Sequence, residues 1–454
     1  MFSNQKMVAM IKLVMCYPSL EKENVGTDML FSPLALAYLA SHTPSYYEIE
    51  LYDEYVGSDL DPEMIDADIV AVSSLSSGIL RAYEIGDKCR VRGIMTVIGG
   101  AHVTSLPEEA LEHFDTVITG EGEKPWIQLL KDYEEGHPKR LYNGASNVPL
   151  DNVSTPDRQM IHSNYHYPSV MTSRGCPYAC SFCYLTIYED RAYRTIPHDT
   201  VLKDLDSLRG NPFIIITDEN FIGYNEHDFE DRKLLLHQMI HRDYQMIWGC
   251  QASIHIAEQP GLMKLMYQAG CRIVFIGFES SDTESLESIN KTHNIGIDYK
   301  DVVKKIHQEK IAVIASCILG MDNHRNDYHK QLINELKNIN ADFVRVFFMT
   351  AWPGTPLYEE LKKEGRTTKN WDNLRKDVPS TQFKYYSHEE ALKARKEILR
   401  SFFNWYNLLV VSFRWLFKDR SLLSVFLRIT IRFFFAEIIK YKRARNVIHQ
   451  NNDL

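Results

Sequence analysis

Short apolar runs alternate with amphipathic stretches through the first third of the chain. Residues 8–15, 48–52, 69–73, 96–100 and 116–120 read as strands, and 33–41 and 78–92 as helices. Ile69-Val-Ala-Val-Ser73 has no polar face, the mark of a strand covered on both sides in a parallel sheet. Pro33 stands near the start of its helix, where a missing N–H costs nothing. The pattern predicts an α/β fold, with a Rossmann-like doubly wound parallel sheet over 1–140. Such sheets bind ligands beyond the carboxyl ends of their strands. Residues 141–166, rich in Pro, Asn and Asp, read as a linker. The rhythm then resumes over 167–370. Strands are predicted at 169–172, 213–217, 245–250, 272–277, 312–318 and 342–348. Helices are predicted at 199–208, 228–243, 261–269, 283–289, 299–309 and 328–338. A helical connector (371–401) leads to a helical, aromatic and basic C-terminal tail (402–454).

The loop after the strand at 169–172 carries Cys176, Cys180 and Cys183, spaced C-x3-C-x2-C. Three thiolates so close can each hold a different iron of one [4Fe–4S] cluster. No fourth cysteine is adjacent, so the fourth iron is left to an external ligand. Zinc usually takes four N/S ligands in paired C-x2-C or H-x3-H units, and no such pair follows.

Cys-x3-Cys-x-aromatic-Cys, here with Phe182 as the aromatic residue, resembles the signature of the radical S-adenosylmethionine (SAM) superfamily. The resemblance implies that SAM chelates the open iron and is cleaved by an electron from the cluster to a 5′-deoxyadenosyl radical. It also implies that the six βα units form a partial (β/α)6 TIM-type barrel, with its chemistry at the strands' carboxyl ends. By the same resemblance the backbone around Phe182 holds the adenine edge. Asp218, Glu219 and Asn220 occupy the slot that meets the SAM aminoacyl group, with no single one assigned. Glu279, followed by Ser280, stands where the ribose hydroxyls are held. Ser253 stands where relatives often place a basic residue toward the SAM carboxylate, a departure that leaves that partner open. Each acidic residue also reads as a helix cap or a solvated turn.

In the first sheet three strand-end loops are Gly- and Ser-rich. They carry Ser73, Ser74, Leu75 and Ser76; Gly99, Gly100 and His102; and Gly120, Glu121, Gly122 and Glu123. Glycine admits close backbone approach, and small hydroxyls bond a large polar ligand. Together the loops resemble the cobalamin-binding domain of the B12-dependent radical SAM enzymes. Many cobalamin domains ligate cobalt through Asp-x-His-x-x-Gly, and no histidine here has that frame. The lower face of cobalt is thus left to water or a non-His side chain.

Composition adds three points. Net charge is −9, which argues against a nucleic-acid partner. Cys16, Cys89, Cys250, Cys271 and Cys317 sit in or near apolar stretches, as buried reduced thiols of a cytoplasmic protein would. The tail is different: residues 402–445 hold nine Lys/Arg against Asp419 and Glu437, a segment net of +7. Its apolar runs, 402–417 and 422–439, are too short or too interrupted by arginine to span a bilayer. The tail reads equally as an interfacial hairpin on the inner face of an anionic membrane or as a pair of helices packed on the barrel or on a second subunit.

The expected function is a cobalamin-dependent radical SAM methyltransferase acting on an unactivated carbon of a small-molecule or lipid substrate. A low-potential donor of flavodoxin or ferredoxin type would supply the electron. Ring formation without methyl transfer, or a cluster- and cobalamin-binding sensor without turnover, are the alternatives. Methylthiotransferases need three further N-terminal cysteines, and only Cys16 and Cys89 lie upstream.

Overall fold

The computed structural model describes residues 10–19, 32–145, 148–188, 192–368, 370–371, 374 and 378–418. The chain forms two compact units. One holds Pro33–Val148 and Asn152–Tyr165 together with the first strand; the other holds Pro149–Asp151 and the chain from His166 onward.

The first unit is built on β1 (Ile11–Tyr17), β2 (Tyr47–Asp53), β3 (Ile69–Ser73), β4 (Met95–Gly99), β5 (Thr116–Thr119) and β6 (Leu141–Asn143). Their order is β2-β1-β3-β4-β5-β6, with every pair parallel. The direction of winding reverses between β1 and β3, the switch point where open α/β sheets bind ligands. Four consecutive residues of β3 are buried, as its uninterrupted apolar run requires. Leu13, Met15, Ile69, Ala71 and Val97 pack with Trp126 and Leu129 in one core. Trp126 and Leu129 lie on the helix Glu123–Glu134.

The segment expected as a linker is more ordered than its composition suggests. Leu141–Asn143 extends the sheet as β6 beside β5. Beyond it, Asp157 N–H donates to Ala37 O at 2.9 Å, and the Tyr165 hydroxyl donates to Asp53 at 2.6 Å. A three-residue edge strand is too short to leave a period in the sequence.

The second unit contains β7 (Ser169–Val170), β8 (Ser173–Arg174), β9 (Arg194–Thr195), β10 (Phe213–Ile216), β11 (Ile247–Ala252), β12 (Cys271–Glu279), β13 (Ala312–Leu319) and β14 (Phe343–Phe348). Six of these form a parallel sheet in chain order, β7-β10-β11-β12-β13-β14. β7 and β14 are its edges, so the barrel is partial and open. β8 and β9 form a small antiparallel pair that brackets the cysteine segment. The predicted helices recur within two residues at each end, from His198–Ser207 to Tyr328–Ile339.

After the sheet, His388–Phe402 is a helix opened by a capping box of Ser387 and Glu390. The helix Trp405–Lys418 follows and packs on the barrel floor. Trp415 is fully buried there, and with Val411 it joins Tyr167, Phe213, Ile273, Ala312 and Phe343 at the amino-terminal ends of the strands. Its indole N–H and Arg414 Nη1 each donate to Asp342 Oδ1 at 2.8 Å. The other oxygen, Oδ2, receives His307 at 2.7 Å and Val313 N–H at 2.8 Å. Burial alone would raise the Asp342 carboxyl; His307, Arg414 and the Val313 amide outweigh it and hold the group below its ordinary value. Packing on the barrel therefore describes 405–418. The second apolar run, 422–439, and most of the basic tail lie outside the described residues. No described helix is long and apolar enough to cross a membrane.

Candidate functional site

The cysteine loop starts from a fixed base. At the end of β10 the buried Asp218 carboxylate accepts from Thr172 N–H and from the Ser173 hydroxyl, both at 2.7 Å, and from the Thr172 hydroxyl. Arg232, wholly buried, donates to Thr172 Oγ1 at 2.9 Å. Burial raises the Asp218 carboxyl from its ordinary value, and Arg232 and the two hydroxyls offset part of that rise. These bonds fix the backbone just ahead of Cys176.

Strand alternation decides which side chains face inward. Phe213, Ile215, Thr217 and Glu219 line a cavity of about 520 Å³, as do Ile273, Phe275, Gly277 and Glu279 from β12. Ile314, Ser316 and Ile318 from β13 and Phe343, Arg345 and Phe347 from β14 follow the same rule. Cys176, Cys180 and Cys183 stand in the wall of this cavity. Of the residues expected at SAM, Phe182, Glu219, Asn220, Ser253 and Glu279 line it with them.

Asp218 and Ser280 differ from expectation. Both are buried and neither lines the cavity. Asp218, two residues past the end of β10, supports Thr172 and Ser173 instead. The Ser280 hydroxyl is held by Tyr328 at 2.8 Å and caps Asp282 N–H at 3.1 Å. Asn220 is committed to backbone: its amide donates to Gly223 O at 2.7 Å and accepts from Ser253 N–H at 2.9 Å. Glu219 keeps its carboxyl toward the cavity, and burial pushes it up to about 7. The Ser253 hydroxyl is buried beside the Tyr178 phenol.

Glu279 closes β12 in the left-handed region, at φ 63°, beside a register shift against β13. That turn aims its carboxylate at Lys291 Nζ, 3.2 Å away, and at the Ser316 hydroxyl, 3.3 Å away. Lys291 was invisible to motif reading, since it comes from a loop twelve residues on. Burial would lower its ammonium, but Glu279 and the thiols of Cys180 and Cys183 outweigh that and raise it. It also lies 6.0 Å from the centre of the Phe182 ring. Tyr178, inside the cysteine loop, stacks on His293 at 3.8 Å. Burial, with Lys291 and His255 nearby, pushes the His293 imidazole down to about 3, so it is neutral near pH 7.

All eight cysteines are reduced. Burial first, then the neighbouring thiols, push Cys176 up to about 12; burial pushes Cys180 up to about 11. A metal centre would have to displace these protons to bind the thiolates. Among the described residues, three potential ligand atoms all within 4.8 Å of one another occur at Asp132, Glu135 and His137.

In the first unit the three expected loops stand side by side, since Ser73 pairs with Gly99 and Gly99 with Ile118. Gly100 has φ 121°, and a Cβ there would meet Ser74 O at 2.3 Å. The strand ends are thus packed backbone to backbone. Thr104 links them, accepting from Gly120 N–H at 3.1 Å and donating to Gly100 O at 2.9 Å. Leu75 is exposed at the rim, whereas Ser74 and Ser76 are buried. His102 is buried, with Nδ1 2.9 Å from Ser76 Oγ and Nε2 3.3 Å from Glu109. Both its nitrogens serve the loop scaffold.

The family model described as the radical SAM superfamily matches residues 170–336. The chain is 27% identical over 356 residues to the bacteriochlorophyllide d C-12(1)-methyltransferase of Chlorobaculum tepidum, covering 77% of each protein. It is 25% identical over 359 residues to the hopanoid C-2 methylase of Rhodopseudomonas palustris, covering 76% of this chain and 67% of that one. Its fold is similar to that of TsrM, a radical SAM methyltransferase from Kitasatospora setae solved with cobalamin and a [4Fe–4S] cluster bound. The TM-score is 0.63 at 17% identity, over 87% of this chain and 86% of that one.

Proposed function

The chain belongs to the radical SAM superfamily, and on that premise we propose that it is a cobalamin-dependent methyltransferase acting on an unactivated carbon of a small, lipid-class molecule. The observation that carries this reading is the cavity wall itself. The thiols of Cys176, Cys180 and Cys183, the Glu279–Lys291 pair and the Ser253 hydroxyl share it. Loaded with a [4Fe–4S] cluster, SAM and cobalamin, such a protein has the electron, the hydrogen-abstracting radical and the methyl group that the reaction requires.

The chain's own residues bind, orient and shield. Cys176, Cys180 and Cys183 would hold the cluster, which would supply the electron to SAM bound beside it. Glu279 accepts from the ribose hydroxyls. Lys291 supplies the positive charge that Ser253 lacks opposite the SAM carboxylate, and the backbone around Phe182 follows the adenine edge. Phe275, Ile314 and Ile318 give the cavity apolar walls that keep water from the reacting carbon. The Ser73–Ser74–Leu75–Ser76, Gly99–Gly100 and Gly120–Glu123 loops would carry cobalamin, and His102 supports them through Ser76 and Glu109. Electrons come from a low-potential flavodoxin- or ferredoxin-type donor. A lipid-class substrate is supported by the similarity to a hopanoid methylase and by the aromatic, basic tail. The tail also supports peripheral contact with an anionic membrane.

The test is reduction of the reconstituted protein with methyl-deuterated SAM and a lipid extract. The expected result is 5′-deoxyadenosine together with a product carrying the labelled methyl, both absent in Cys180→Ala. A product that changes mass without the label would replace methyl transfer by ring formation or another oxidative outcome. An intact cluster that never yields 5′-deoxyadenosine would indicate a sensor.

A further inference from the structure

The loop that follows the helix Thr283–Ser288 clasps the cysteine segment. Ser181 N–H donates to Ile289 O at 2.9 Å, and the Asn290 side-chain amide donates to Ala179 O at 2.8 Å. Ala179 and Ser181 are the two neighbours of Cys180, so these bonds fix the backbone on either side of one thiol. Tyr178 stacks on His293 a little further along both loops. The clasp is pinned in turn to the end of β12, where the Asn294 amide donates to Gly277 O at 3.0 Å and to Phe278 O at 3.1 Å.

Lys291 lies in the middle of this clasp, and its own N–H is held by Leu286 O at 2.8 Å. Its ammonium is 3.2 Å from Glu279 and 6.0 Å from the centre of the Phe182 ring, in the cavity wall that the three thiols share. The side chain is only 12% exposed, so solvent screens its charge little. We propose that Lys291 sets the reduction potential of the cluster held by Cys176, Cys180 and Cys183, its fixed charge favouring the reduced state. Reduction brings one electron from the low-potential donor into the cluster and breaks no bond. It leaves the site one unit more negative, and a nearby positive charge in a wall of low dielectric stabilises that state. Glu279 acts on the same site in the opposite sense. Lys291 works through its field and not by ligation, so it is a positioning residue. The inference rests on the proposed placement of the cluster at the three cysteines.

Reconstituted full-length proteins are titrated with titanium(III) citrate in the absence of SAM, and the paramagnetic signal of the reduced cluster is followed. Leaving SAM out separates this role from any contact of Lys291 with the SAM carboxylate. Lys291→Met should lower the equilibrium constant for one-electron reduction tenfold or more, a fall of about 59 mV in potential. Lys291→Arg should stay near the wild type, and Glu279→Gln should move the potential upward. Shifts of opposite sign are what a field produces; a loosened clasp would move both variants the same way, and that result overturns the inference. If Lys291→Met does not retain its cluster, the double variant with Glu279→Gln leaves no buried charge without its partner, and its potential should lie below that of Glu279→Gln alone. One common potential across cluster-bearing variants overturns the inference and leaves the cluster reading standing. A wild type that takes up no cluster overturns both.

Discussion

Lys291 Nζ stands 3.2 Å from Glu279 Oε1, and the two meet in the space left by the absent side chain of Gly277. A Cβ on Gly277 would come 2.3 Å from that oxygen and 2.9 Å from that nitrogen. Both are far ends of flexible side chains, so they can be pushed aside without moving backbone. Gly277→Ala is therefore expected to change stability by no more than about 1 kcal/mol, yet to weaken SAM binding roughly tenfold. Equilibrium dialysis with labelled SAM on the reconstituted variant checks this. Unchanged affinity would separate the ion pair from SAM.

The pair itself is buried, its side chains being only 12% and 8% exposed. Lys291→Met leaves the Glu279 carboxylate with the Ser316 hydroxyl alone, and Glu279→Gln strands the ammonium. Each change is expected to destabilise the apoprotein by about 3 kcal/mol. The double variant removes both charges and should recover most of that loss, a coupling read from denaturant melts. Additive losses would mean that the two charges do not depend on one another.

Asp218 is predicted to act through the backbone. Asp218→Ala leaves Thr172 N–H and two hydroxyls without their acceptor, a loss of about 2–3 kcal/mol, or roughly 5–10 °C in melting temperature. Iron retained after reconstitution should fall with it. The fraction that keeps its cluster should bind SAM as the wild type does. A selective loss of SAM affinity with normal melting would make Asp218 a ligand.

Glu219 gives a pH signature. Burial lifts its carboxyl from the ordinary 4.5 up to about 7. Between those values the folded protein binds the proton and the unfolded chain releases it. Its contribution is thus fully present below about pH 4.5 and is lost as pH rises toward 7. Glu219→Gln should remove that part of the decline, so the variant's melting temperature falls less between pH 5 and pH 8 than the wild type's. Parallel profiles would indicate an ordinary carboxyl.

The frame of this protein was legible because parallel strands are long, apolar and closely spaced. Ile69–Ser73 was read to the residue, and the six strands of the second sheet to within about two. The cysteine spacing is local and therefore visible. β6 was missed because three edge residues carry no period. Asp218 was grouped with Glu219 and Asn220 because adjacent positions in a strand-end loop look alike in sequence; its bonds to Thr172 and Ser173 set it apart. Lys291 and His293 could not be read, since a loop beyond Glu279 folds back over the cysteine segment and no short motif records that return. The tail was undecided because an aromatic, basic helix satisfies either surface; the Asp342 carboxylate under Trp415 and Arg414 decides it for 405–418.

The central claim is that Cys176, Cys180 and Cys183 hold a cluster whose fourth iron belongs to SAM. Electron–nuclear double resonance on the reduced, reconstituted protein with SAM labelled at its amine nitrogen and carboxylate oxygen tests it most directly. Hyperfine coupling from both labels to the cluster is predicted, lost in Cys180→Ala. A reduced [4Fe–4S] signal with no coupling to either label would contradict the account.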